Sequence, residues 1–112
     1  MKITLKFVKT ILITGTAMVF SGCSSIVYHP SPEQMIEAKR TWPEANSTYL
    51  YKGLDLYRNK CGNCHYLYKP HKYSAGEWKH ILPEMKKEAK LTDEEYRNIY
   101  IYLMTMSVGT SP

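Results

Sequence analysis

Cysteine is scarce in this sequence: there are three in 112 residues, an odd number that argues against a disulfide framework. A membrane-spanning apolar run of about 20 residues is also missing, since the apolar run at residues 11–20 covers only about half that length. Excess charge is confined to the N-terminus. Lys2, Lys6 and Lys9 contribute three of the +5, and the remainder carries +2, which argues against a nucleic-acid partner.

The N-terminus has the three-part layout of an export signal. Residues 1–10 are basic and carry no acid, residues 11–20 are mostly apolar, and residues 21–25 are small. This segment is therefore expected to direct the chain out of the cytoplasm.

The end of this segment, Phe20–Cys23, resembles a bacterial lipobox. The resemblance implies that residues 1–22 are removed, that Cys23 receives acyl chains, and that the protein is anchored to a membrane facing the periplasm. Ser24, in place of an Asp, favours the outer membrane over the inner. The alternative is an ordinary signal peptide with an incidental cysteine.

Four segments of the remaining 90 residues predict helices, and none alternates as a strand does. Three begin with a capping box, and the other has apolar residues spaced by three and four. The capping boxes begin at Ser31, Ser74 and Thr92, and the spaced apolar residues are Leu50, Leu54, Tyr57 and Cys61. Pro83 is expected to break its helix at Leu82 and to start another. The sequence predicts an all-α fold.

The motif with the clearest chemistry is C-x-x-C-H, at Cys61, Cys64 and His65. Two thiols three residues apart can bond to the two vinyl groups of one haem, and the adjacent histidine can then ligate the iron. Covalent attachment would also stabilise a domain too small for a large core. A zinc site needs four ligands, and a thioredoxin-like site needs a βαβ unit, so both are weaker hypotheses.

Residues 48–106 resemble class I cytochromes c. Gly53, Tyr57 and Cys61 keep that family's spacing, and Tyr102–Leu103 matches the pair near the end of its last helix. The resemblance implies that Gly53 allows this helix to cross the last helix closely, and that about four short helices surround one covalently bound haem c.

A short variety of these proteins has a tryptophan and a methionine between the motif and the last helix, as Trp78 and Met85 lie here. The resemblance implies that Met85 is the sixth iron ligand and that Trp78 and Tyr57 pack on the haem. The other candidates for the sixth ligand are His71, His80, Met104 and Met106.

We therefore expect three parts: a signal peptide (1–22), a lipidated tether with a short helix (23–47), and a haem domain (48–112). The expected function is electron transfer rather than enzymatic catalysis, with redox proteins or respiratory-complex subunits as partners. Two alternatives are a peroxidase or gas sensor with an open sixth site and a fixed haem subunit of a respiratory complex.

Overall fold

Helices account for all the regular structure of residues 28–108, the part of the chain that the computed structural model describes. In chain order they are α1 (Pro32–Thr41), α2 (Ser47–Leu56), a π-helical turn (Tyr57–Cys61), a 3₁₀ turn (Pro70–Lys72), α3 (Ala75–Glu88) and α4 (Asp93–Ser107). The all-α prediction is confirmed. The predicted signal peptide and Cys23 lie outside the described residues, and none of the helices in 28–108 has the length and apolar character to cross a membrane.

The three predicted capping boxes are all formed. In each, the hydroxyl of the N-cap residue accepts from the backbone N–H three residues later, and the Glu or Gln there accepts from the N-cap N–H. The pairs are Ser31 with Gln34, Ser74 with Glu77, and Thr92 with Glu95. The remaining α-helix, α2, begins after Asn46, whose side chain accepts a hydrogen bond from the Tyr49 N–H at 2.8 Å. Local sequence therefore fixes where every helix starts.

The expected helix break at Leu82 is wrong. Helix α3 continues through Pro83 to Glu88 as a single element. Proline removes one backbone hydrogen bond and costs about 3 kcal/mol in a helix interior. Burial on both sides of the proline offsets that cost, because Trp78 and Leu82 are buried before it and Met85 is half-buried after it. Tertiary packing outweighs the local penalty.

Helix α4 is the centre of the core. One apolar cluster joins it to α3 and the π-helical turn through residues such as Ile99 and Leu103. A second cluster on another side joins Ile101 of α4 to Ala38 of α1 and Leu50 of α2. The predicted division of the chain at residue 48 remains a prediction, but α1 and α2 share this second cluster.

Helices α2 and α4 cross at Gly53. A Cβ at this position would lie 2.7 Å from the Cβ of Tyr102 and closer still to the backbone oxygen of Asn98. Only glycine lets the two helices approach this closely. The close crossing inferred from the resemblance is therefore present, and it fixes the end of α2 from which the C-x-x-C-H segment continues.

Candidate haem site

Most of the residues that the sequence singles out for haem binding meet at one cavity. It lies between the π-helical turn, the segment after it and α3, and it is lined by Tyr57, Cys61, His65, Trp78, Leu82 and Met85. The donors are one thiol, one imidazole and one thioether, and the remaining walls are aromatic or aliphatic. Cys64 lies on the exposed turn next to the cavity.

The π-helical turn places the first thiol inside the fold. Tyr57 and Cys61, at its two ends, are only 3% and 7% exposed. The residues after it, from Gly62 to Tyr66, are exposed. Such turns insert one residue into a helix and occur often at functional sites. Here the turn leads from the buried end of α2 into the segment that carries His65.

Two buried aromatic side chains hold the loop that follows His65. The Tyr57 hydroxyl donates to the carbonyl of Tyr68 at 2.6 Å, and the Trp78 indole N–H donates to the carbonyl of Pro70 at 2.7 Å. The two rings also meet edge to face, with centroids 6.2 Å apart. Burial raises the pKa of the Tyr57 hydroxyl, so it remains a donor at neutral pH. The loop is therefore tied to the helices on both sides of the cavity.

His65 is held in a form suited to metal binding. Its Nδ1 is 2.8 Å from the backbone carbonyl of Tyr66. A carbonyl can only accept, so Nδ1 donates this hydrogen bond, and Nε2 is the ring nitrogen left to ligate a metal. Histidines that ligate metals usually donate their other ring N–H in this way, which fixes the ring and raises ligand basicity.

The donor set fits a c-type haem. Cys61 and Cys64 are free thiols, His65 presents Nε2, and Met85 supplies a thioether at the same cavity. The cavity is small, about 10 Å³, whereas sites for molecules of cofactor size enclose about 300–1,000 Å³. Its walls must therefore separate around a porphyrin. The exposed segment 62–66 has few buried contacts to lose in that movement.

The buried thiol of Cys61 argues against thiol–disulfide exchange at this motif. Burial raises the pKa of the Cys61 thiol to about 11, with the neighbouring Cys64 adding to the rise. A thiol with so high a pKa is almost entirely protonated at neutral pH and is a weak nucleophile. A thioredoxin-like role needs the opposite shift.

The other candidates for the sixth iron ligand lie elsewhere. His71 and His80 are exposed and do not line the cavity, and the His71 ring rests against Tyr28, with centroids 5.2 Å apart. Met104 is buried and lines a separate groove between α1, α3 and α4. Met106 is half-buried against the main core. Among the described methionines and histidines, only Met85 and His65 line this cavity.

Residues 57–111 match a protein-family model described as dihaem cytochrome c. The match supports a c-type cytochrome. It starts at the π-helical turn and includes the C-x-x-C-H motif, α3 and α4 of this chain. Comparison with curated proteins and with solved structures gives no match.

Sequence reasoning missed the backbone partners of the site. The backbone carbonyls of Tyr66, Tyr68 and Pro70 each accept a hydrogen bond from an aromatic or histidine side chain of the site. A carbonyl leaves no trace in the sequence, because every residue carries one. The π-helical turn was missed too, since apolar residues spaced by three and four also fit a continuous α-helix.

Proposed function

We propose that this protein is a c-type cytochrome, a single-haem electron carrier anchored by lipid in a bacterial envelope. In this proposal, Cys61 and Cys64 bind the haem covalently. His65 and Met85 would ligate its iron. Bound haem supplies a one-electron iron couple, and two protein ligands leave the metal no position for a substrate.

The observation that carries the proposal is the shared cavity of His65, Cys61 and Met85. The imidazole is oriented by the Tyr66 carbonyl, and the thioether comes from α3, a helix fixed at its start by the Ser74 capping box. Buried Trp78 and Leu82 exclude water from the same place. A thioether ligand and an apolar wall both favour the ferrous iron, so we expect a reduction potential above that of a bis-histidine site.

Optical spectra of Met85→Ala test the ligation. The oxidised wild-type holoprotein is expected to show the far-red sulfur-to-iron charge-transfer band, and the reduced protein is expected not to bind carbon monoxide. Met85→Ala should lose the band, bind carbon monoxide and lower the potential, within the range of about 0.8 V that axial ligation spans.

Met106→Ala is the matched control, because Met106 is half-buried but does not line the cavity. It should keep the band and the potential. A wild-type protein that binds carbon monoxide would overturn the six-coordinate assignment and favour a sensor or peroxidase. A band that survives Met85→Ala would assign the ligand elsewhere.

One haem per chain is the expected stoichiometry. The matched family is described as dihaem, but this chain has three cysteines, and only Cys61 and Cys64 form a C-x-x-C-H motif with a histidine. Intact mass of the purified holoprotein should therefore show the mature polypeptide, its acyl groups and one haem, and pyridine haemochrome analysis should give one haem per chain. A second haem, lost under denaturing conditions, would contradict the single-haem assignment.

The anchor and the location are part of the same proposal. Acyl chains on Cys23 would hold the protein on the periplasmic side of a membrane, and Ser24 favours the outer membrane over the inner. Two or more acyl chains give stable anchoring, whereas one gives only marginal binding. Confinement at the membrane raises the effective concentration of the haem near its redox partners, which are envelope redox proteins or respiratory-complex subunits.

A further inference from the structure

The chain that leads out of the predicted anchor is docked on the folded domain. The backbone carbonyl of Tyr28 accepts a hydrogen bond from the Tyr102 hydroxyl at 2.8 Å. The Tyr28 ring meets the His71 ring, and the His29 ring lies 5.6 Å from that of Tyr51. From Tyr28 onward, the chain therefore packs on the folded domain instead of forming a free tether.

This docking limits how far the domain can be from the membrane. Cys23 precedes Tyr28 by five residues, and an extended chain spans at most about 3.6 Å per residue. The domain surface around Tyr28 can therefore be no more than about 18 Å from an acylated Cys23. The side of the domain where the chain enters therefore stays near the bilayer, while a connection of this length still leaves the domain free to tilt.

Two lysines lie beside that point, and the charge of Arg58 acts on the Tyr102 hydroxyl at the same place. Lys69 and Lys72 flank Pro70 and His71, and the His71 ring is in contact with Tyr28. Arg58 lies near the Tyr102 hydroxyl: burial raises the pKa of Tyr102, and the Arg58 charge opposes that rise. We call Arg58, Lys69 and Lys72 the tether-exit patch.

The positive charges of the tether-exit patch are not paired with acidic side chains of residues 28–108. All three side chains are exposed, and none makes an ion pair in residues 28–108. The chain has no acid between Asp55 and Glu77. Asp55, one turn after Tyr51, makes no ion pair among residues 28–108. The cations around α4 differ, since Lys52, Lys60, Lys86 and Arg97 pair with Glu94, Glu95, Asp93 and Glu44 respectively.

Aromatic rings accompany the patch. Tyr66 is 82% exposed, and the Lys72 ammonium lies 4.0 Å from the centroid of the Tyr68 ring. Tyrosine favours the membrane–water interface, where its ring is apolar and its hydroxyl remains hydrated. Lysine and arginine near an anionic leaflet are attracted to its headgroups.

We propose that the tether-exit patch binds the headgroups of anionic lipid and so orients the domain on the membrane that holds it. This inference rests on the proposed anchor at Cys23. The anchor supplies proximity, and the patch supplies a preferred orientation. Each cation is expected to favour the oriented form by about fivefold on an anionic surface.

Lysine labelling on vesicles tests the orientation. The acylated mature holoprotein is reconstituted on vesicles of phosphatidylcholine alone, and on vesicles of equal parts phosphatidylcholine and phosphatidylglycerol. An amine-reactive reagent that does not cross membranes is added, and each lysine is quantified by mass spectrometry. Lys39 and Lys90 are internal controls, because they too are exposed and have no ion pair among the described residues.

The expected result is that labelling of Lys69 and Lys72 falls by at least about fivefold, the contribution of a single cation, relative to Lys39 and Lys90, on the anionic vesicles only. High salt should restore it, because screening shortens the range of the attraction. Equal labelling of all four lysines on both vesicles would overturn the proposal. Protection on phosphatidylcholine alone would overturn the headgroup assignment.

Flotation of the same vesicles separates this inference from the anchor. An acylated protein floats with both kinds of vesicle, whatever the patch does. If the wild type floats only with anionic vesicles, the proposed acyl anchor at Cys23 is wrong. In that case, loss of flotation in Lys69→Gln/Lys72→Gln, but not in the control Lys39→Gln/Lys90→Gln, still supports the patch. Flotation with neither vesicle overturns both proposals.

Discussion

Gly53→Ala is expected to destabilise the holoprotein by about 3 kcal/mol, near the upper end of the usual cost of overpacking. The added methyl group would meet the Asn98 backbone oxygen and the Tyr102 Cβ. Neither neighbour is the end of a flexible side chain, so α2 and α4 must move apart. The melting temperature, followed by far-ultraviolet circular dichroism, should fall by about 12–24 °C for a domain of this size.

Gly76→Ala is the matched control. Gly76 is also helical, near the start of α3, but a Cβ there would have only the Ser74 hydroxyl nearby, at 3.9 Å. Alanine in this open position should stabilise the protein by about 0.5–1 kcal/mol, because it reduces the freedom of the unfolded chain. If the two variants had the same stability, the close crossing of α2 and α4 would be wrong.

Trp78→Ala is expected to cost about 3–5 kcal/mol, the usual range for removing a buried tryptophan. Trp78 is 3% exposed and meets the rings of Tyr57 and Tyr73 edge to face. The substitution also leaves the Pro70 carbonyl without its donor. Since a small domain has only about 5–15 kcal/mol in total, the midpoint of urea denaturation should fall by about a fifth or more, and a domain near the lower end of that range would no longer fold.

Trp78→Phe keeps the measurement interpretable if the alanine variant does not fold. Phenylalanine retains most of the ring but not the N–H, so the cost should fall to about 1–3 kcal/mol, the penalty for an unsatisfied buried acceptor. Trp42→Phe is the control, because Trp42 is only half-buried and its indole makes no hydrogen bond among the described residues. Equal costs for Trp42→Phe and Trp78→Phe would show that the bond to Pro70 contributes nothing.

The sequence by itself determined the helices and the chemistry of the site. Three capping boxes marked the starts of α1, α3 and α4, because a cap is a local contact between residues three apart. The C-x-x-C-H motif indicated a c-type haem, because its spacing is set by the chemistry of attachment, and the family match agrees. The assignments of Met85 as ligand and of Cys23 as lipid anchor stay predictions.

Tertiary structure decided what depends on contacts between distant residues. Pro83 continues within α3 because packing around Trp78 and Leu82 outweighs its local cost. Ile101 and Tyr102 are both fully buried, because α1 and α2 pack on Ile101 and the crossing of α2 at Gly53 covers Tyr102. The docking of Tyr28 on Tyr102 joins residues 74 positions apart. No local pattern encodes such a contact, since its energy comes from surfaces that meet only in the folded chain.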